Sequence, residues 1–219
     1  MCFLGCKSVL PADIVFVVDE SGSVGQIHFD DTIKAISDTV DNLVIHKDLI
    51  HVGMTLFEGH GTSRTILNLN DGFDKTAIKD ALTKTIYKDG KYTDIADAFN
   101  YVCNKMFVAS NGDRSNADNY LVLLTDGKSD INKAVNQAGL CSSKGVRIIS
   151  VGIGSGVDVN LLTTVAYKPE FYINTDYSEL NTTLPQLVTK SIDCSEGINY
   201  FVFCLAFYGC KILIHLLCL

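Results

Sequence analysis

The chain has 219 residues, of which 47% are apolar, with 17 glycines and 3 prolines; this composition is typical of a globular domain and excludes a disordered or repetitive chain. The formal net charge of −7 argues against a nucleic-acid-binding surface, because such a surface normally carries a basic face. The eight cysteines include no CxxC pair and no cysteine–histidine cluster with zinc spacing, so an oxidising compartment is the better interpretation.

Both ends of the sequence differ from its middle. Residues 1–11 form an N-terminal segment whose apolar stretch is short for a secretory signal and is broken by Lys7, so we interpret it as an incomplete leader or a mis-assigned start. Residues 195–219 form a hydrophobic tail, and 200–219 would span roughly 30 Å as a helix. Lys211 costs about 2.5–3.5 kcal/mol in a membrane. A membrane anchor, a truncated or mistranslated tail and a packed terminal segment therefore remain open.

Between residues 12 and 194 the patterns of strands and helices alternate, which predicts one domain. In chain order, we predict a buried strand, an amphipathic helix, two strands joined by a glycine-containing hairpin, two helices, and then strand, helix, strand, helix, strand and helix. The strands are predicted at 13–19, 51–57, 64–69, 120–125, 146–151 and 170–173. The helices are predicted at 26–44, 74–86, 94–108, 131–143, 159–166 and 178–192.

This alternation predicts an α/β fold, doubly wound, with a mostly parallel six-stranded sheet, one antiparallel edge strand and helices on both faces. In such sheets, ligands bind at the carboxyl ends of the strands, where the strand order reverses. The residues that follow the buried strands are therefore the first candidates for a functional site.

The first strand ends in Asp19-Glu20-Ser21-Gly22-Ser23, a DxSxS pattern at the start of a helix. On its own this pattern could be a helix cap, since Asp and Ser at a helix start accept hydrogen bonds from free backbone N–H groups. Asp126 ends another buried strand, and Thr93 opens a helix between the two. We expect Asp19, Ser21, Ser23, Thr93 and Asp126 to converge. Two carboxylates and three hydroxyls form a hard-oxygen set suited to Mg²⁺ or Mn²⁺.

Three segments carry a family resemblance: DIVFVVDESGSVG, the threonine of YTDIADAF, and LLTDGKS. They resemble the metal-ion-dependent adhesion site (MIDAS) of von Willebrand factor A and integrin I domains. The segments HVGMTLF, GDRSNADNYLVLLTDG and VRIISVGIG are similar to further strands of that family, in the same order. The resemblance covers about residues 12–194 and is nearest to the extracellular-matrix branch of collagen-associated and matrilin-like domains.

The resemblance implies that Ser21 and Ser23 bind the metal through their hydroxyls, that Thr93 does so in the ligand-bound state, and that Asp19 and Asp126 act largely through water. Neutral direct ligands leave the cation under-compensated, so an anionic sixth ligand is expected. In this family, a Glu or Asp of a partner protein supplies it. The implied partner is an extracellular protein such as collagen or another matrix protein, and the implied localisation is extracellular, with membrane anchoring by 200–219 open.

The sequence departs from the family pattern beside Thr93. Ile95 and Ala96 stand where the family often has Thr and Gly, which affects the expected loop geometry but removes no direct ligand. Five residues are expected to surround the metal and to set partner choice, or else to be ordinary solvated loop residues. These are Glu58, His60, Lys91, Tyr92 and Lys128.

Two cysteine pairs are expected. Cys6 and Cys194 flank the first strand and the last helix, whose ends should meet, and the resemblance also supports this bridge; a loop of that length would contribute about 5 kcal/mol. Cys103 and Cys141 are expected near the ends of two helices on the same face of the sheet. They could form a bridge or remain two free buried thiols. Asn181-Thr182-Thr183 is a sequon for glycosylation of Asn181.

The sequence therefore favours a non-enzymatic, metal-dependent adhesion or matrix-assembly module. The alternative from another class is an intracellular scaffold domain of the same fold in a multiprotein complex, in which the thiols of Cys6 and Cys194 would stay free. A metal-assisted hydrolase is a third possibility, but the sequence offers no GxSxG motif and only Glu58 and His60 as bases near the site.

Overall fold

The computed structural model describes residues 10–193. Six strands and six α-helices follow one another in the order expected from the sequence. The strands are β1 (Ala12–Asp19), β2 (Ile50–Phe57), β3 (Arg64–Leu67), β4 (Asp118–Thr125), β5 (Val146–Ile153) and β6 (Tyr172–Thr175). The helices are α1 (Gly25–Asn42), α2 (Lys75–Thr83), α3 (Ile95–Tyr101), α4 (Ile131–Ser142), α5 (Val159–Val165) and α6 (Tyr177–Asp193).

The six strands form one sheet in the order β3-β2-β1-β4-β5-β6. All neighbouring pairs are parallel except β2 and β3, which are antiparallel at the edge. This arrangement confirms the predicted fold class. Strand β1 lies in the centre of the sheet, with β2 on one side and β4 on the other. The strand order therefore reverses at β1. The crevice expected at such a reversal therefore opens at the carboxyl ends of β1 and β4.

Strand β1 is buried along its whole length because its side chains enter two separate cores. Ile14, Phe16 and Val18 belong to the core on the face covered by α1 and α6. Val15 and Val17 belong to the core on the other face, under α3, α4 and α5. Alternating side chains of a strand point to opposite faces, so the middle of this strand, buried on both faces, is apolar at every position from Ile14 to Val18.

Four helices begin at an aspartate whose side chain accepts a hydrogen bond from the backbone N–H three residues later. These N-caps are Asp74, Asp94, Asp130 and Asp158. Each satisfies a donor that the helix itself leaves unpaired and fixes where the helix begins.

Most predicted boundaries shift by one or two residues, and the helix expected at 74–86 ends three residues early, at Thr83. Two further differences change the type of structure. The helix expected at 94–108 is α-helical only to Tyr101 and continues as one π-helical turn, Val102–Met106. The strand expected at 170–173 is shifted, because Pro169–Phe171 forms a 3₁₀ turn and β6 begins at Tyr172. Proline has no backbone N–H to donate to a neighbouring strand, which favours the turn at this point.

A disulfide joins Cys103 of the π-helical turn to Cys141 of α4, with Cα atoms 5.6 Å apart. It connects the helix that follows Thr93 to the helix that follows Asp126. The predicted Cys6–Cys194 bridge, the N-terminal segment 1–11 up to residue 9 and the tail 195–219 lie outside the described residues. Within residues 10–193, no helix is both long and apolar enough to cross a membrane.

Candidate metal centre

The first three candidate ligands follow the carboxyl end of β1. Asp19 is the last residue of the strand, and its Oδ1 accepts a hydrogen bond of 2.9 Å from the backbone N–H of Ser21. The Oγ atoms of Ser21 and Ser23 lie 3.2 Å apart. The two hydroxyls therefore lie close together in the turn before α1. Neither of them caps the helix, because α1 begins without a side-chain cap hydrogen bond.

Two loops bring the remaining candidates to the same place. Thr93, just before α3, donates from Oγ1 to Ser21 Oγ over 3.1 Å. Ser23 Oγ donates to Asp126 Oδ1 over 2.9 Å. The side-chain oxygens of Thr93, Ser21, Ser23 and Asp126 therefore form a continuous chain, although the residues come from three separate segments.

Thr125 takes part in the site although the sequence did not single it out. Its Oγ1 donates to Asp19 Oδ2 over 2.6 Å and accepts from the backbone N–H of Gly127 over 3.1 Å. With Ser21 holding its other oxygen, the Asp19 carboxylate is fixed at both ends. The only sequence signal for this role is the position of Thr125 directly before Asp126, at the end of a buried strand.

The two carboxylates lie in surroundings that disfavour their charge. Burial raises the pKa of Asp19 to about 6, against hydrogen bonds from Ser21 and Thr125 that lower it, and the charge of Asp126 raises it further. Burial also raises the pKa of Asp126, while its bond from Ser23 opposes the rise. A nearby cation would offset this loss of hydration.

Tyr177 is a second residue that sequence reasoning missed. It is the first residue of α6 and packs beside Asp19, Thr125 and Asp126. Its ring stacks on that of His28, with centroids 3.9 Å apart. Its buried hydroxyl has no hydrogen-bond partner among residues 10–193, and burial, followed by the charges of Asp126 and Asp19, raises its pKa.

The donor set fits a hard divalent cation. Hydroxyl and carboxylate oxygens are the ligands that Mg²⁺ and Mn²⁺ prefer. No cluster of three or more His, Cys, Asp or Glu suited to a metal occurs in the described part of the chain, so any site here must rely on hydroxyls. Ser21, Ser23 and Thr93 are the described residues that bring hydroxyls together beside two carboxylates.

The five residues expected around the metal occupy different environments. Lys91 and Lys128 are exposed, and Tyr92 is 73% exposed beside Gly59. Glu58 is half-buried against Gly90, and a Cβ added to Gly90 would collide with the Glu58 carboxylate. The Nδ1 of exposed His60 lies 3.3 Å from Asp97 and 3.6 Å from Asp94 at the start of α3.

Other predicted positions are also described. Ile95 is fully buried at the start of α3, and its backbone N–H donates to Ser129 Oγ over 3.2 Å. Ala96 is half-buried beside it. Asn181, the predicted glycosylation site, is exposed on α6.

Comparison with known sequences gives relatives among matrix proteins. The collagen alpha-1(XII) chain of Notophthalmus viridescens is 30% identical over 202 residues, which cover 90% of this chain and 21% of that one. Human matrilin-1 is 29% identical over 183 residues, covering 81% of this chain and 36% of that protein. The chain thus spans about a fifth and about a third of the length of these relatives.

Comparison with solved structures gives the same fold. Proximal thread matrix protein 1 from the mussel byssus, with a zinc-occupied MIDAS motif, has a TM-score of 0.77 at 23% identity, covering 84% of this chain and 48% of that one. The manganese-loaded TRAP protein of Plasmodium vivax has a TM-score of 0.68 at 23% identity, covering 83% and 73%.

The family comparison covers most of the described region. The sequence profile of the von Willebrand factor type A domain matches residues 13–186, from the second residue of β1 into α6. This span contains every element of the sheet and all five candidate ligands. The chain therefore belongs to the von Willebrand factor type A domain family.

Proposed function

We propose that this chain is a non-enzymatic protein-binding module of the extracellular matrix that holds one divalent cation and binds an acidic residue of a partner protein through it. The observation that carries the proposal is the chain of oxygens from Thr93 through Ser21 and Ser23 to Asp126, with successive distances of 3.1, 3.2 and 2.9 Å. Three protein segments converge there on small polar side chains.

In this proposal, Ser21, Ser23 and Thr93 hold Mg²⁺ or Mn²⁺ by their hydroxyls, and Asp19 and Asp126 act largely through water. The bound cation would supply a positive charge that neutral direct ligands leave under-compensated, which favours an external carboxylate. One structural neighbour of this fold has a zinc-occupied MIDAS motif and another is manganese-loaded, which supports a divalent ion in general.

The relatives support an extracellular protein partner, since they are collagen chains and matrilin. We propose that Glu58, His60, Lys91, Tyr92 and Lys128 contact that partner around the metal. Tyr92 suits such a role because a large exposed aromatic side chain can bury much area at little entropic cost. The exposed amines of Lys91 and Lys128 favour an acidic partner surface.

Titration calorimetry with Mg²⁺ and Mn²⁺ tests the metal site. The wild-type chain is compared with Ser23→Ala, which removes one hydroxyl ligand, and with Asp126→Ala, which removes one carboxylate. Asp130→Asn is the matched control, because it removes a charge four residues from Asp126 while Asn still caps α4.

Saturable binding by the wild-type chain and the control, with a loss of about tenfold or more in each site variant, is the expected result. Binding that is equally strong in all four proteins would place the cation elsewhere. No saturable binding by the wild-type chain would reject the metal-dependent function.

A further inference from the structure

A buried ion pair lies directly behind the candidate metal site. The side chain of Glu20, between Asp19 and Ser21, is fully buried. Arg64 at the start of β3 binds it with two hydrogen bonds, Nε to Oε1 at 3.0 Å and Nη2 to Oε2 at 2.8 Å. Such paired bonds between a guanidinium and a carboxylate fix orientation as well as charge.

The same guanidinium also holds the loop that leads to Thr93. Arg64 Nη2 donates to the backbone carbonyl of Ile86 over 2.7 Å. Arg64 therefore connects the DxSxS turn, through Glu20, to residues 84–94. A lysine could carry the charge but could not make these three bonds from one rigid plane.

The backbone continues this connection toward the metal ligands. The N–H of Gly90 donates to the carbonyl of Glu20 over 2.9 Å, and the N–H of Gly22 donates to the carbonyl of Gly90 over 2.6 Å. Ser21 and Gly90 form a short parallel bridge. Tyr87 adds a bond of 2.8 Å from its hydroxyl to the carbonyl of Ser21. The Thr93 loop is thus bonded directly to the turn bearing Ser21 and Ser23 at Tyr87 and at Gly90.

We propose that Arg64 and Glu20 are positioning residues that hold the Thr93 loop against the Ser21 turn and so set the spacing of the hydroxyl ligands. The proposal rests on the metal-binding function proposed above. Neither residue touches the metal donors through its side chain. Their effect reaches Thr93 through Ile86 and Gly90, which lie seven and three residues before it.

The test compares Arg64→Lys with Arg147→Lys. Arg147 is a matched control because its side chain is 25% exposed, as is that of Arg64, and because it also pairs with a carboxylate, that of Asp118, at 2.6 Å. Arg147 lies at the start of β5, at the opposite end of the strands from the metal site. Two quantities are measured on each full-length protein: Mn²⁺ affinity, and amide hydrogen exchange of Gly22 and Gly90 without metal.

We expect Arg64→Lys to lower Mn²⁺ affinity about tenfold or more and to speed exchange at Gly22 and Gly90, while Arg147→Lys leaves both at wild-type values. Unchanged affinity and exchange in Arg64→Lys, or equal losses in both variants, would overturn the proposal. If the wild-type protein binds no Mn²⁺, the function proposed above fails. The exchange of Gly22 and Gly90 without metal then decides by itself whether Arg64 holds the loop.

Discussion

Gly127 shows how closely the loops of the candidate metal site pack. A Cβ at this position would lie 2.9 Å from Thr93 Oγ1 and 3.4 Å from its Cγ2. The backbone N–H of Gly127 also donates to Thr125, which holds Asp19. The absence of a side chain here allows Thr93 to approach Ser21.

We therefore expect Gly127→Ala to displace Thr93 and to weaken Mn²⁺ binding about tenfold or more in a calorimetric titration. Gly139→Ala is the control, since Gly139 lies in α4 with no atom within 4 Å of an added Cβ. That change should leave metal affinity unaltered and raise the free energy of unfolding by about 0.5–1 kcal/mol, because alanine favours a helix. Wild-type Mn²⁺ affinity in Gly127→Ala would contradict the expectation that metal binding depends on the close packing of Gly127 against Thr93.

His51, at the opposite end of the sheet from the metal site, should make the stability of the protein depend on pH. It is 6% exposed, its Nε2 lies 2.9 Å from the Lys47 carbonyl, and its Nδ1 has no hydrogen-bond partner in the described region. Burial lowers the pKa of His51 below 6.5, and the charge of Arg114 adds to this; the Lys47 carbonyl and Asp13, 3.9 Å away, oppose it. The unfolded chain thus binds the proton more tightly than the folded one.

The free energy of unfolding contributed by His51 is fully present above pH 6.5 and is lost as the pH falls toward the lowered pKa. Between pH 7 and pH 5, the wild-type protein should therefore lose more stability than His51→Gln, measured by urea denaturation with EDTA present. Exposed His46, mutated to Gln, is the control and should follow the wild type. A constant difference between wild type and His51→Gln at all pH values would contradict this account.

Single residues were predictable where the signal was local. Asp19, Ser21 and Ser23 stand within five residues, Asp126 directly follows a recognisable strand, and Thr93 directly precedes a recognisable helix, so their convergence could be expected. The positions of Arg64 and Tyr177 beside the site could not be expected, because Arg64 is 44 positions from Glu20 and Tyr177 meets Asp126 only through the packing of α6. The sequence around an arginine in a short strand, or around a tyrosine at the start of a helix, does not indicate which distant residue that side chain will contact.

At the level of elements, the buried strands were predicted within one or two residues because continuous apolar runs mark strands covered on both faces. The π-helical turn after α3 was not predicted, since helical periodicity over five residues does not distinguish it from an α-helix. This turn carries Cys103 and places it beside Cys141. The sequence had left a bridge and two free thiols equally open.

The disulfide should stabilise the pair α3 and α4 through the unfolded state. With a sequence separation of 38 between the cysteines, the chain-entropy estimate is about 4 kcal/mol. Cys103→Ala/Cys141→Ala should lower the free energy of unfolding by about this amount in urea denaturation. The control is the wild-type protein treated with reductant, which should lose at least as much stability as the double variant, because reduction would also break a Cys6–Cys194 bridge. If both thiols of the unreduced, unfolded wild-type protein react with an alkylating agent, the bridge is absent.

For the whole molecule, the fold class, with its one antiparallel edge strand, and the family followed from the sequence, because the alternation of elements and the three site segments together restrict the topology. The structure and bonding of the terminal segments could not be derived from the sequence in the same way. The predicted Cys6–Cys194 bridge and the tail 200–219 lie outside residues 10–193, and they stay predictions. The distinction between an extracellular module and an intracellular scaffold depends on them.

Peptide mapping without reductant, on protein recovered from its native compartment, addresses this distinction. We expect a Cys6–Cys194 linked peptide alongside the Cys103–Cys141 peptide, because an oxidising compartment favours both. The same sample, reduced before digestion, is the control and should yield four separate peptides. Finding Cys6 and Cys194 as free thiols would favour the intracellular scaffold.

The most direct test of the central claim asks whether the bound metal accepts a carboxylate from outside. Water-proton relaxation is measured on the Mn²⁺-loaded chain while a short glutamate-containing peptide is added, and again with the glutamine counterpart. The account predicts that the glutamate peptide displaces metal-bound water and lowers the relaxation enhancement, while the glutamine peptide does so far less. An unchanged signal with saturating glutamate peptide, on protein that demonstrably holds Mn²⁺, would contradict it.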